Sequence, residues 1–128
     1  TKGKRGASYD DWFYRIEFVF EGTHDIINGW YDQHVLDLGV IESPSFGSKF
    51  GNPHERAGLW WKVYAELTSW AVPIKTLAPK SRARYMTGNG NAKKPEVLAA
   101  ARERGGDDIE NDDIADAVGL AMWGEEGL

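Results

Sequence analysis

Three acidic residues have the types and spacing expected of a site for a hard divalent cation. Asp113 and Asp116 lie three residues apart in Asn111–Met122, a stretch predicted to be helical, so their carboxylates are neighbours on one face. Glu42 follows an apolar run that is typical of a buried strand, and α/β sheets carry functional groups at strand ends. Because Mg²⁺ prefers oxygen ligands, these residues could share an ion.

The predicted C-terminal helix favours ionised carboxylates in its first turns. Either Asn111 or Asp112 is a suitable N-cap, which places the aspartates near the positive end of the helix dipole. The residues expected to pack inward are Ile114, Ala117, Val118, Ala121 and Trp123. The alternative is that all three acids are ordinary solvated residues at a helix start and a strand end.

The first element needed to support such a site is a long helix. Ser8 and Asp11 form the pattern of a capping box, and helical spacing of apolar residues continues to Trp30 or Tyr31. The residues predicted to form its buried face are Trp12, Ile16, Val19, Phe20, Thr23, Ile27 and Trp30.

A strand, a helix and a second strand follow, which predicts a βαβ unit with a parallel strand pair. The strands are expected at Val35–Ile41 and Val72–Ala78, and the intervening helix begins with Asn52 as cap and Pro53 at its first position. The helix has an apolar stripe of Trp60, Val63, Tyr64, Leu67 and Trp70. Because Leu59 and Trp61 lie off that stripe, the excess apolar surface contacts either a partner subunit or other parts of the core.

The remaining chain is read as short elements. Pro79–Tyr85 is predicted to be a helical turn, Thr87–Asn91 a tight loop and Pro95–Arg104 a helix that ends at Gly105. The sequence Gly88-Asn89-Gly90 lacks the spacing of known phosphate-binding loops and is most simply a turn.

Composition indicates a globular chain with segregated charge. The 128 residues include six Trp, no Cys and a net charge of −5, with 41% apolar residues. Ala71–Pro95 contains basic residues and no acidic ones, whereas the charged residues from Glu103 onward are almost all acidic. A basic segment beside an acidic one suits an enzyme that binds phosphates and metal ions, or is simply a mixed solvated surface.

Lack of cysteine, of a signal peptide and of a membrane-spanning run predicts a cytoplasmic location with no membrane partner.

Three motifs in order resemble the RuvC-type Holliday junction resolvases, particularly the shorter phage-encoded branch. These are Ile41-Glu42 before a loop rich in Ser, Phe, Gly and Lys; the block Tyr85–Val97, which resembles TGxGxAxK; and Asp113–Ala117, which resembles DxxDA. The resemblance covers the chain from its first helix onward.

This resemblance implies a ribonuclease H-like α/β fold, with a mixed sheet flanked by helices, in a homodimer. It also implies a nuclease that cleaves four-way DNA junctions in recombination and repair, using two Mg²⁺ or Mn²⁺ ions. Carried over by motif, Glu42, Asp113 and Asp116 match three of the family's four acidic metal ligands, and Lys94 matches a catalytic lysine.

Two features depart from the family pattern. The fourth acid lies on a first strand that nothing here matches, and the preceding hairpin strands are missing, so residues 1–128 are predicted to be one nuclease domain lacking its N-terminal strands. Without that acid we expect cleavage to be impaired. The family's upstream lysine falls at Ala83, so Arg84 or Arg82 would have to replace it.

The residues predicted to bind DNA combine positive charge with one aromatic side chain. The loop from Ser43 to Asn52 is expected to face the junction centre, where Phe46 or Phe50 either inserts between bases or packs beneath the loop. The full set is Phe46, Lys49, Lys80, Arg82, Arg84 and Lys93.

The leading hypothesis is therefore a metal-dependent, structure-selective DNA endonuclease. Two alternatives stay open: a non-catalytic module that binds branched DNA, and a protein-interaction domain that uses the Trp-rich helix. Site-specific Mn²⁺ binding would separate the last of these from the first.

Overall fold

The computed structural model describes residues 6–33, 36–44 and 52–127. In chain order its elements are helix α1 (Tyr9–Gln33), strand β1 (Gly39–Glu42), helix α2 (Pro53–Ser69), strand β2 (Ile74–Leu77), and helices α3 (Pro79–Thr87), α4 (Lys94–Gly105) and α5 (Asp112–Glu126). These form two compact units: α1 and α2 make up the first, and the strands with α3, α4 and α5 make up the second.

The predicted capping box at the start of α1 is confirmed. The Ser8 N–H donates to Asp11 Oδ2 at 3.0 Å, and the Asp11 N–H donates to Ser8 Oγ at 3.1 Å. The predicted apolar face is buried at Ile27, but Val19 is 38% and Trp30 57% exposed, so the expectation of a broadly buried face was wrong. The reason is that α1 packs against a single helix in this unit, which covers only a narrow stripe.

Helix α2 starts as the sequence predicts, with Asn52 as N-cap and Pro53 in the first turn. The cap is conformational, since Asn52 adopts a left-handed φ of 52° and its side chain makes no capping hydrogen bond. Ion pairs join α2 to α1, one between Glu66 and His24 and one between Lys62 and Glu17.

The predicted parallel pair is confirmed, with Gly39 opposite Ile74 and Glu42 opposite Leu77. Both strands are shorter than predicted, and β1 is half-buried instead of buried. Within the described residues the sheet has two strands, so each strand keeps an open edge. Val35, part of the predicted first strand, lies outside the described residues.

The core of the second unit lies among its three helices. It consists of buried Met86, Ala101, Ile109 and Ala115, with Tyr85, Leu98, Ala100, Val118 and Met122 packed around them. The predicted inward face of α5 was wrong in part: Val118 packs against the core, whereas Ile114 is 40% exposed and Ala117 and Ala121 are exposed.

Small residues form the inward face of α5 because its neighbours approach closely. A Cβ atom at Gly119 would lie 3.0 Å from Met86 Cγ, and one at Gly124 would lie 2.6 Å from Val40 Cγ2. These two glycines therefore let α5 pack directly on α3 and β1.

Helix α3 is longer than the helical turn predicted for it. It has nine residues and ends at Gly88, whose left-handed φ of 82° lets its N–H bond to the Arg84 carbonyl at 2.8 Å. The loop that follows is a tight turn, as predicted, with the Asn91 N–H donating to Asn89 Oδ1 at 2.9 Å. Among the described residues, none of the helices is both long and apolar enough to cross a membrane.

Candidate active site

Two of the predicted acidic residues converge on one buried cation. Glu42 is the last residue of β1 and Asp116 lies in the second turn of α5, and Arg82 of α3 reaches both. Arg82 Nη1 donates to Glu42 Oε2 at 2.6 Å, and Nη2 lies 3.2 Å from Asp116 Oδ1. One guanidinium thus links carboxylates from a strand and a helix that are 74 residues apart in the chain.

Close packing of α3 against α5 explains the position of Arg82. The arginine is 8% exposed, and its Cγ would lie 3.4 Å from a Cβ at Gly119. Glycine leaves room for the aliphatic part of the arginine on the surface of α5, one turn from Asp116. Arg82 Nε is also buried and has no hydrogen-bond partner among the described residues, so the terminal nitrogens alone hold the group in place.

The N-terminus of α5 presents the other acids at different depths. Asn111 is the N-cap, and its Oδ1 accepts from the Ile114 N–H at 3.0 Å, which settles the choice that the sequence left open. Asp112 contacts Lys94 Nζ at 3.1 Å, whereas Asp113 is exposed. The predicted trio is therefore divided: Asp116 faces Glu42 across Arg82, and Asp113 lies on the solvent side.

Burial and neighbouring charges act on these groups in opposite directions. Desolvation raises the pKa of Asp116, the positive charge of Arg82 lowers it, and Asp112 and Asp113 raise it again. The Lys94 ammonium, as a hydrogen-bond donor, lowers the pKa of Asp112, and the same contact raises the pKa of Lys94. The pKa of Asp116 is raised overall, since burial outweighs the positive charge of Arg82.

The predicted DNA-binding residues differ in their exposure to solvent. Lys80, Arg84 and Lys93 are exposed, as binding to a phosphate backbone requires. Arg82 differs from that expectation, since it is buried and faces carboxylates. Phe46 and Lys49 lie outside the described residues.

The ion pairs of Arg82 with Glu42 and Asp116 are not predicted by the sequence, because a helical turn at Pro79–Tyr85 has no defined buried face. In the nine-residue helix, Arg82, Ala83 and Met86 form the buried face. The spacing of four residues between Arg82 and Met86 was the available signal.

The chemistry of the acid pair fits a divalent cation. Glu42 and Asp116 offer hard oxygen ligands, and both already converge on a cationic group, the guanidinium of Arg82. In the described part of the chain, no cluster of three or more acidic or histidine side chains is arranged to hold a metal ion. A divalent ion at this pair would therefore have two protein oxygen ligands.

Three known proteins are similar to this chain in sequence. Two relatives named crossover junction endodeoxyribonuclease RuvC, from Christiangramia forsetii and Porphyromonas gingivalis, are each 29% identical over 71% and 73% of this chain. A third of the same name, from Salinibacter ruber, is 28% identical over 92% of it. These alignments cover 45%, 47% and 65% of the relatives, so the chain spans about half the length of the first two. No family model matches the chain.

A solved structure of Thermus thermophilus RuvC is similar to the fold, with a TM-score of 0.65 over 99% of this chain and 76% of that one, at 18% identity. The fold is therefore the ribonuclease H-like α/β fold, as predicted. The chain resembles the RuvC-type resolvases in both sequence and structure, which confirms the resemblance drawn from its motifs.

Proposed function

We propose that this chain carries part of the active site of a structure-selective DNA endonuclease, one that resolves four-way junctions by phosphodiester hydrolysis. The observation that carries the proposal is the convergence of Glu42 and Asp116 on one cation. Both residues belong to the motifs that resemble those of the resolvases. The similarity to relatives that are crossover junction endodeoxyribonucleases supports the same activity.

The proposed cofactor is Mg²⁺ or Mn²⁺, two ions in the complete site, held by Glu42, Asp116 and Asp113. Such ions would activate the attacking water and stabilise charge on the leaving 3′ oxygen. The chain's own residues prepare that site. Asn111 fixes the start of α5 and the helix dipole favours ionised acids in its first turns.

Lys94 is proposed to act on the substrate phosphate beside the acids. Its side chain is 83% exposed and its Nζ lies 3.1 Å from Asp112, so the ammonium is held at the acidic end of α5 yet is open to a ligand. Lysine is charged at neutral pH, and the contact with Asp112 raises the pKa of Lys94 further. Its positive charge is suited to binding a phosphate oxygen and stabilising charge that develops there.

Exposed cations on α3 and before α4 supply the proposed DNA contacts. Lys80, Arg84 and Lys93 offer sequence-independent contacts to phosphates, and Phe46 and Lys49 are proposed to contact the junction on the basis of the sequence. Such binding should weaken steeply as the salt concentration rises.

The homodimer is proposed to form through α2. Trp61 lies off the apolar stripe of this helix and is 61% exposed, which leaves a large aromatic surface for a second copy. Sedimentation at high concentration should show a dimer that Trp61→Ala weakens. A monomer throughout would contradict the assembly while leaving the catalytic proposal intact.

The function is tested by cleavage of a synthetic four-way junction with Mg²⁺, using the full natural protein that contains this chain. Glu42→Gln should abolish cleavage and leave junction binding nearly unchanged, because a ligand to the catalytic ion is lost and the phosphate contacts are not. Glu125→Gln removes an exposed carboxylate of α5 and is the matched control, expected to cleave normally.

Two results would contradict the proposal. One is loss of binding by Glu42→Gln with cleavage per bound complex unchanged, which would give Glu42 a binding role. The other is tight, junction-selective binding by the wild-type protein without any cleavage. That result would favour the non-catalytic DNA-binding module.

A further inference from the structure

Arg82 combines three properties that a surface phosphate-binding arginine does not have. It is 8% exposed, it contacts two carboxylates from different elements, and its Nε is buried without a partner among the described residues. A buried donor without a partner lowers the stability of the folded state. The two ionic contacts must offset that cost for the arginine to stay in place.

The oxygens that Arg82 occupies are those that an ion would need. Divalent Mg²⁺ binds carboxylate oxygens at about 2 Å and requires nearly ideal octahedral geometry. An ion on Glu42 Oε2 and Asp116 Oδ1 would have to lie beside guanidinium nitrogens that are 2.6 Å and 3.2 Å from those same oxygens. Since both groups are positively charged and the guanidinium is buried, they repel each other strongly at that separation.

We propose that Arg82 is an internal cation that competes with the divalent ion for Glu42 and Asp116. In the metal-free protein the guanidinium neutralises the acid pair and keeps the two carboxylates close together. When an ion binds, the guanidinium leaves those oxygens. This positioning role rests on the proposed function, because it concerns the same acid pair.

The competition has a consequence for DNA binding. A guanidinium displaced from two carboxylates needs another anion, and a phosphate of the substrate is the group that matches its paired donors. Ion binding and phosphate binding then favour each other, and by linkage each raises the affinity of the other by the same factor. Arg82 thereby becomes a DNA contact only in the ion-bound state.

The test is a titration of the DNA-free protein with Mn²⁺, in which electron paramagnetic resonance measures the concentration of free ion. Arg82→Met keeps the length of the side chain and removes its charge, so we expect it to bind Mn²⁺ about tenfold more tightly than wild type, within the usual range of coupling between sites. Arg104→Met is the matched control: it removes an exposed positive charge in the same unit, and its affinity for Mn²⁺ should match that of wild type.

Equal or weaker Mn²⁺ binding by Arg82→Met, with the helical circular dichroism of wild type, would overturn the competition. So would the absence of binding in both proteins, because removal of the guanidinium would then free no ion site. Neither result depends on cleavage, so failure of this inference is distinct from failure of the proposed nuclease.

A second measurement uses the wild-type protein and therefore does not depend on the folding of a variant. In protein labelled with ¹⁵N-arginine, Mg²⁺ should shift the Nη signals of Arg82, and Asp116→Asn should reduce that response. Mg²⁺ binding seen by calorimetry without any change at Arg82 would contradict the proposal.

Discussion

The two cations that face the acidic residues of α5 are held in opposite ways. The Arg82 side chain is 9% exposed and links acids of β1 and α5, whereas the Lys94 side chain is 83% exposed and pairs with Asp112. Exposed ion pairs contribute little to stability because water and salt screen them. A buried cation between two acids instead determines where those acids lie.

This difference in burial gives the two cations different roles: one positions the acidic residues and the other is open to bind a phosphate. Without a bound ion, Arg82 holds the acids in place and is withdrawn from solvent, whereas Lys94 stays accessible to a ligand. Substitutions of these cations, of their acidic partners and of the neighbouring glycine test whether the two roles are distinct, with effects expected to decrease in the order given.

The largest contrast is expected between the acids that these cations contact. Asp116→Asn should lower single-turnover cleavage of a four-way junction by about a hundredfold or more, since it removes a group that stabilises transition-state charge. Asp112→Asn should change it less than tenfold, because Asp112 contacts only the exposed lysine. Similar losses in both variants would show that the two acids are not functionally distinct.

Packing around Arg82 is tested by the same substitution at two glycines. Gly119→Ala places a methyl group 3.0 Å from Met86 Cγ and 3.4 Å from Arg82 Cγ, so it should lower the free energy of unfolding by about 1–3 kcal/mol. Gly22→Ala lies in α1 with nothing within 4 Å and should raise it by about 0.5–1 kcal/mol. Urea denaturation measures both. An unchanged value for Gly119→Ala would show that α3 and α5 have space between them.

Removal of Arg82 itself should have a smaller cost. Arg82→Met is expected to destabilise the protein by about 1–2 kcal/mol, because it removes two ionic contacts, and Glu42 and Asp116 are partly open to water. Arg104→Met loses an exposed cation–π contact with Tyr85 and should cost less, about 0.5–1 kcal/mol. If both variants were equally stable, the buried contacts would contribute no more to the native state than the exposed one.

The smallest effect concerns the exposed pair. In Lys94→Met the pKa of Asp112 should rise toward its ordinary value, as ¹³C nuclear magnetic resonance of the carboxyl group would show. A lowered carboxyl pKa adds stability above the unfolded pKa, and this is lost as the pH falls through the folded value. The variant should therefore lose a small stabilisation near neutral pH and match wild type in strong acid. A pKa of Asp112 that does not move would mean that Lys94 does not act on it.

Much of the local structure could be read from the sequence. The capping box at Ser8 and Asp11 and a cap at Asn111 or Asp112 follow from residue types that act over a few positions, and the order of strand, helix and strand predicted the parallel pair. Helix α3 was underestimated because its short polar sequence has weak periodicity. Its length is supported by packing against α4 and α5.

The sequence by itself determined which acids belong to the motifs and that Asp113 and Asp116 share one helix. Only the tertiary structure decided that Asp116 faces Glu42, that Asp113 faces solvent, and that Arg82 lies between the first two. The reason is that local rules fix spacing along one element, whereas the meeting of β1, α3 and α5 depends on how closely their surfaces approach. The lack of a side chain at Gly119 lets α5 and α3 approach closely, and this glycine belongs to none of the motifs recognised in the sequence.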